Sequence, residues 1–142
     1  MIHEIWVALA NKLQSVQGLH SFFDYAKGEP DGYPFATLTM AEGESEFGDS
    51  AGNQSARNLQ KQNFIVRVYQ ERDDDLFGPQ KAERVSIEVL DEILTALYMD
   101  TTLSGTVKYQ RPTEWSAGYD VQDKVVRTLE INIETLSIVN SK

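Results

Sequence analysis

The residues of this chain that could do chemistry are few and scattered. His20 stands beside Ser21 and near Asp24, which together have the residue types of a nucleophilic triad. Triad members normally converge from separate elements, however, and no nucleophile elbow surrounds Ser21. The other histidine, His3, lies in a segment whose apolar residues have helical spacing. We therefore interpret both histidines as surface or partly packed residues and predict no catalytic residue.

Two other segments carry residues that bind ions in some proteins. The acidic run 73–75 has the hard oxygen ligands that suit calcium or magnesium, but it lacks the alternating spacing and distal glutamate of a calcium loop. Residues 78–81 (Gly-Pro-Gln-Lys) precede a predicted helix, yet the second glycine and the Lys-Ser/Thr pair of a phosphate loop are missing. The chain has no cysteine, which removes thiolate ligands and disulfides. We predict no metal site, no cofactor and no enzymatic activity.

Composition and charge narrow the class of protein. A chain of 142 residues with 41% apolar residues can build one core but not comfortably two, so we predict a single domain over residues 1–142. The net charge of −9 argues against a broad nucleic-acid-binding surface, because phosphate neutralisation needs clustered Lys and Arg. No apolar run is long enough to span a membrane, and the N-terminus lacks the layout of a secretory signal. We expect no membrane partner.

Two segments have apolar residues at the spacings of three and four that are typical of a helix. The first covers residues 2–16, with Gly18 as a stop signal. The second covers residues 79–98, where Pro79 suits the first helical position. The apolar face of the second helix needs a flat apolar partner, so we predict that it lies on a sheet formed by the strand-like runs on either side.

Five segments have the composition or the alternation of strands: residues 22–25, 35–40, 64–69, 106–111 and 125–134. Apolar and polar residues alternate most clearly in 64–69 and 125–134, which indicates strands buried on one face only. Strands in runs broken by helices predict an α+β domain with a mainly antiparallel sheet. We expect both helices on one face, in the order α-β-β-β-α-β-β.

Two polar segments interrupt this pattern. Residues 41–62, called the arm below, contain only Phe47 and Leu59 as large apolar residues. A segment of this length without its own core is typical of a functional loop or a projecting hairpin, and we interpret Phe47 as a partner contact. The second segment, 112–124, is predicted to be a loop that carries Trp115 and Tyr119. These aromatic residues either contact a partner or fold back over the sheet edge.

The succession of elements resembles the tail-terminator or tail-completion proteins of long-tailed bacteriophages. The resemblance spans nearly the full chain: an amphipathic first helix, the long polar arm, a long second helix, a closing strand, and the segments 22–25 (Phe-Phe-Asp-Tyr), 33–38 (Tyr-Pro-Phe-Ala-Thr-Leu) and 63–68 (Asn-Phe-Ile-Val-Arg-Val). It is a pattern of elements rather than a signature motif.

The resemblance implies a structural, non-enzymatic protein of the virion tail, made in the host cytoplasm. Such a protein forms a hexameric ring of identical copies that caps the tail tube and joins it to the head connector. DNA would pass through the strongly negative ring without being specifically bound. The candidate interface residues are Phe47, Arg57, Lys61, Arg72, Trp115 and Tyr119. The three basic residues among them would pair with acidic groups of the next subunit, although such surface pairs contribute only about 0 to 1 kcal/mol each.

One alternative from another class stays open at this point. The same element order fits a ferredoxin-like regulatory domain that binds a small molecule or a peptide. Such a domain would contain a deep apolar pocket between helix and sheet.

Overall fold

The computed structural model describes residues 2–26, 32–47, 57–71, 78–121 and 125–140. Its elements follow in the order α1 (Ile2–Gln14), β1 (Ser21–Phe23), β2 (Phe35–Phe47), β3 (Arg57–Glu71), α2 (Gly78–Tyr98), β4 (Tyr109–Val121) and β5 (Val125–Asn140). This confirms the predicted α+β class and the order of its elements. That the whole chain is one domain stays a prediction.

The strands form one five-stranded sheet in the order β1-β2-β3-β5-β4. β1 pairs with β2 in parallel, and every other neighbouring pair is antiparallel. Because β3 and β4 are both antiparallel to β5, they run in the same direction with β5 between them. The segment β3-α2-β4 is therefore a split β-α-β unit.

The core lies between the two helices and one face of the sheet, as predicted. The alternation that predicted β3 and β5 is confirmed, because the residues of one parity are buried: Phe64, Val66, Val68, Leu129, Ile131 and Ile133. Both helices bury the residues at their predicted apolar spacing against this face: Ile5, Leu9, Leu13, Ala82, Val89, Ile93 and Leu97. No helix in the described residues is long and apolar enough to cross a membrane.

The alternate residues of the strands have their side chains on the opposite face of the sheet, which is largely polar. Arg67 forms an ion pair of 2.9 Å with Glu130 and donates a hydrogen bond of 3.0 Å to Thr39 Oγ1. Phe35 lies on this face too, and its ring stacks on that of Tyr69 at 4.7 Å. The aromatic pair lies at one end of this face, which no helix of the described residues covers.

The prediction of a loop over residues 112–124 was wrong for most of the segment, because β4 continues to Val121. Pro112 and Gly118 suggested a break, but β4 is an edge strand, where the missing N–H of a proline need not leave a ladder bond unmade. A bulge between Pro112 and Glu114 absorbs the local irregularity. The predicted start at residue 106 was also early, since the strand begins at Tyr109.

A tight turn between α2 and β4 explains the late start of the strand. Leu103, Ser104 and Gly105 all have positive φ angles, of 48°, 57° and 89°. The backbone N–H of Ser104 donates a hydrogen bond of 2.9 Å to Asp100 Oδ1, which fixes the turn. Behind it, buried Gln110 donates from Nε2 to the carbonyl oxygens of Leu97 and Asp100 at 2.6 and 3.1 Å, satisfying acceptors at the end of α2.

The described part of the arm is a three-stranded projection. Residues 41–47 and 57–62 are the ends of β2 and β3, with Glu44 opposite Lys61. The end of β5 runs along the other side of β3, where Arg57 lies opposite Asn140. Because β4 begins opposite Leu136, these three strands extend beyond it. Residues 48–56 lie outside the described residues.

Candidate functional site

The predicted interface residues lie in two separate places. Phe47, Arg57 and Lys61 belong to the arm, whereas Trp115 and Tyr119 belong to β4. Arg57 lies opposite residue 140 of β5 and Tyr119 opposite residue 127, so the two places are about 40 Å apart along that strand. Arg72 lies outside the described residues. The structure thus provides two candidate surfaces rather than one site.

At the arm, Lys61 is the candidate basic residue whose side chain the structure describes. It already has an ion-pair partner in its own chain. Lys61 Nζ lies 3.9 Å from Glu44 Oε1 across the β2-β3 pair, and the two side chains are 40% and 61% exposed. Such a pair contributes at most about 1 kcal/mol, so it can be exchanged for another acidic partner at little cost. Phe47 and Arg57 are placed by their backbone register only.

On β4, the two aromatic residues are neither in a loop nor folded over the core. Trp115 lies opposite buried Ile131, and Tyr119 lies opposite Arg127, so both are on the sheet face that carries the helices. They are nevertheless 46% and 51% exposed. This is the arrangement of an exposed apolar stripe along an edge strand.

Arg127 holds this stripe in place. Its guanidinium lies over the Tyr119 ring at 4.6 Å and donates from NH1 to the Gly118 carbonyl oxygen at 3.2 Å. It also forms an ion pair with Glu83 of α2, with Nε 3.0 Å from Oε2. Arg127 therefore ties β4 to α2, and an aromatic surface that is already ordered loses less conformational entropy on binding.

Sequence reasoning missed Arg127, although a signal was present. Arg127 falls on the apolar parity of β5, two positions before Leu129, where a charged residue interrupts the alternation. A charge at such a position needs a partner when it is buried, and only 15% of this side chain is exposed.

The exposed stripe extends from β4 onto α2. Ile87 lies one helical turn after Glu83, on the same side of α2, and is 51% exposed. We call the set of exposed apolar residues on this side the β4 surface: Ile87, Trp115, Ala117, Tyr119 and Val121.

A groove of about 520 Å³ opens on the other side of the molecule, between α1, the chain after β1, and β2. Trp6 forms part of its wall and donates a hydrogen bond from Nε1 to the Asp24 carbonyl oxygen at 3.2 Å. Met40, on β2, is 65% exposed at its rim. We call this the α1 groove, and its lining includes Ile2, His3, Trp6, Tyr25, Leu38 and Met40. Sequence reasoning did not find it, because its lining residues come from four distant segments of the chain.

Ser21 and His20, the residues that could form part of a nucleophilic triad, are not hydrogen-bonded to each other. Ser21 Oγ is buried and has no hydrogen-bond partner within the described part of the chain, so His20 does not reach it. The His20 ring instead lies against Gly32. No group of three or more potential metal ligands occurs among the described residues, and the acidic run 73–75 lies outside them.

The shifted pKa values belong to structural contacts. The pKa of Asp100 is lowered, chiefly because the Ser104 N–H donates to its carboxylate. Burial is the next cause and opposes the lowering, while Lys12 Nζ, 3.2 Å away, adds to it. The pKa of Tyr109 is raised by burial and by its hydrogen bond of 2.9 Å to Glu134 Oε1. Burial also raises the pKa of Tyr69. These groups lie outside the β4 surface and the α1 groove.

Comparisons with known proteins identify similar folds. No family model matches this chain, and no curated protein matches it. One solved structure, from the virion of a native gene transfer agent particle, aligns with 92% of this chain and 84% of its own, at 12% identity and a TM-score of 0.44. A second, of a protein without a descriptive name, aligns with 93% of this chain and 94% of its own, at 21% identity and a TM-score of 0.51. The second likeness supports the fold alone.

Proposed function

We propose that this protein is a structural, non-enzymatic component of a phage-like virion. More specifically, we propose a tail terminator: a hexameric ring that caps the tail tube and joins it to the head connector. The resemblance of the element order to tail-terminator and tail-completion proteins supports this reading.

The observation that carries the proposal is that the two edges of the sheet present different exposed surfaces. β4 carries exposed aromatic residues at one edge, while β2 and the arm project at the other. A ring of identical copies needs two unlike surfaces on each copy, because each contact joins one surface to the other and the rotation closes. The β4 surface and the β2 side of the molecule meet this requirement.

The charge distribution suits passage of DNA rather than its capture. The chain carries a net charge of −9, so a ring would be strongly negative. On the helix-free sheet face, Glu130 and Glu134 are each paired with one arginine, so the negative charge of a ring would come from the net charge of the chain. A negative wall repels the phosphate backbone, which keeps DNA from binding to the channel. In this proposal, the arm contacts the neighbouring tail or connector protein.

The test is the native mass of the purified protein, combined with negative-stain images of the protein alone and after mixing with uncapped tail tubes. We expect closed rings, and rings seated at one end of the tubes. Uncapped tubes imaged without the protein are the control. Monomers at every concentration, with bare tube ends in the mixture, would contradict the proposal.

The α1 groove favours a second candidate function, the binding of a small molecule or a peptide. It is an apolar depression between a helix and the sheet, and the fold contains the split β-α-β unit of ferredoxin-like domains. A thermal-shift screen of the wild type against Trp6→Ala tests it. A ligand that raises the melting temperature of the wild type alone would support this function, and a screen without such a ligand would count against it.

A further inference from the structure

We infer that the sheet continues from one copy of this chain into the next, with β4 of one copy adding to the free edge of β2 in its neighbour. The inference rests on the ring proposed above and specifies its subunit contact.

Both strands have free edges within the described part of the chain. β4 is the last strand of the sheet and pairs on one side only, with β5. On the opposite side of the sheet, β1 covers β2 only from Phe35 to Thr37. From Met40 onward, the outer edge of β2 has no strand beside it among the described residues. The Gln110 N–H of β4 is already used, since it donates to the Thr101 carbonyl oxygen at 2.7 Å. The remaining N–H and C=O groups of a free edge can accept a further strand.

The strand directions are compatible with a continuous sheet. β2 is antiparallel to β3, β3 to β5, and β5 to β4, so β2 and β4 run in opposite directions. A neighbouring copy that keeps its helices on the same face therefore brings β4 beside β2 as an antiparallel partner. Side chains directly opposite each other would then lie on the same face of the joined sheet.

The bulges of the two edge strands match in one register. β2 has one extra residue between Met40 and Gly43, and β4 has one extra residue between Pro112 and Glu114. Placing Trp115 of one copy opposite Met40 of the next puts Pro112 opposite Gly43. The irregular segments then face each other and every side chain keeps its face. Pro112, which lacks an N–H, would lie where the ladder is already interrupted.

The same register brings complementary side chains together. Trp115 would lie beside Met40, which is 65% exposed at the rim of the α1 groove. On the other face, Arg111 would lie opposite Glu44, and these side chains are 62% and 61% exposed. Exposed apolar groups would be covered on one face, and on the other face the contact would add to the ion pair that each of these residues already forms within its own chain.

The contact joins unlike surfaces, and each copy uses both of its edges once. It is therefore a heterologous contact, which generates a ring when the rotation between copies closes. In this register Gly118 of the neighbour would reach Thr37, where β1 already pairs with β2, so the shared ladder ends at Trp115 and covers β2 only from Met40 onward.

The absence of native cysteine makes a cross-linking test direct. We would combine Glu44→Cys with Arg111→Cys and oxidise the protein gently. Within one copy the two positions lie about 16 Å apart, three strand spacings across the sheet and two residues along it, which is too far for a disulfide. We expect a ladder of covalent oligomers that ends at the size of the ring, whereas a mixture of the two single variants should stop at dimers.

The matched control combines Glu44→Cys with Ser116→Cys, which lies on the same face of β4 but about 15 Å further along the strand. We expect no ladder from it. Rings in which Glu44→Cys/Arg111→Cys cross-links no better than this control would overturn the edge pairing and leave the proposed function standing. A wild type that stays monomeric, together with no ladder, would overturn both.

Discussion

Two neighbouring positions on the helix side of the sheet differ sharply in burial. Ile131 of β5 and Trp115 of β4 lie opposite each other on the helix side, yet Ile131 is fully buried and Trp115 is 46% exposed. A helix is about 10 Å wide and strands are about 4.8 Å apart, so one helix covers about two strands. Two helices therefore leave about one strand of five uncovered, and here that strand is β4 beyond Pro112. The core stabilises the fold, and the uncovered strand is available to a partner.

The largest expected effect comes from the covered part of the face. Ile93 of α2 is fully buried, so Ile93→Ala should lower the free energy of unfolding by about 2 to 5 kcal/mol. Urea denaturation measures this. Ile87→Ala, on the exposed side of the same helix, is the matched control and should change it by no more than about 0.5 kcal/mol. Equal losses in the two variants would mean that α2 is not oriented as described.

The next effect concerns the junction between α2 and the edge strand. Gln110→Ala would leave the Leu97 and Asp100 carbonyl oxygens without their side-chain donor in a buried place. We expect a loss of about 1 to 3 kcal/mol in urea denaturation. Gln14→Ala, at an exposed position at the end of α1, is the control and should have little effect. A wild-type midpoint for Gln110→Ala would show that this buried amide contributes nothing to the junction.

The smallest effect depends on pH. The pKa of Asp100 in the folded protein is lowered from its ordinary value of 3.8, so its contribution to stability is present above about pH 3.8 and is lost as the pH falls through the folded-state pKa. The wild type should therefore be more stable than Asp100→Asn at pH 6, and the difference should shrink on acidification below pH 3.8. Melting temperatures across this range measure it. A difference in melting temperature between the two proteins that stays constant with pH would contradict the lowered pKa of Asp100 in the folded protein.

Local patterns predicted most of the covered part of the molecule. The two helices and the alternating strands β3 and β5 could be predicted because burial on one side leaves a periodic trace in the sequence. The part of β4 beyond Pro112 leaves no such trace, since it is exposed on both faces and contains Gly118, a residue type that usually breaks strands. The strands of the arm have few apolar residues, and their pairing with the end of β5 is a long-range contact that local composition does not encode.

The candidate surfaces were only partly predictable for a similar reason. Trp115 and Tyr119 were recognisable as aromatic residues among polar neighbours, although their assignment to a loop was wrong. The α1 groove and the contacts of Arg127 with Tyr119 and Glu83 depend on elements that meet only in the folded chain. Lys61 was predicted to contact the next subunit, and the structure adds an ion pair with Glu44 within the chain.

The central claim is that the uncovered strand carries assembly while the covered core carries stability. Sedimentation of Trp115→Ala over a range of concentrations tests it most directly, with Tyr98→Ala, a comparably exposed aromatic residue at the end of α2, as control. We expect Trp115→Ala to keep the unfolding midpoint of the wild type while its association weakens by about 2 kcal/mol, or roughly 30-fold. Tyr98→Ala should assemble normally. Full assembly of Trp115→Ala would contradict the claim.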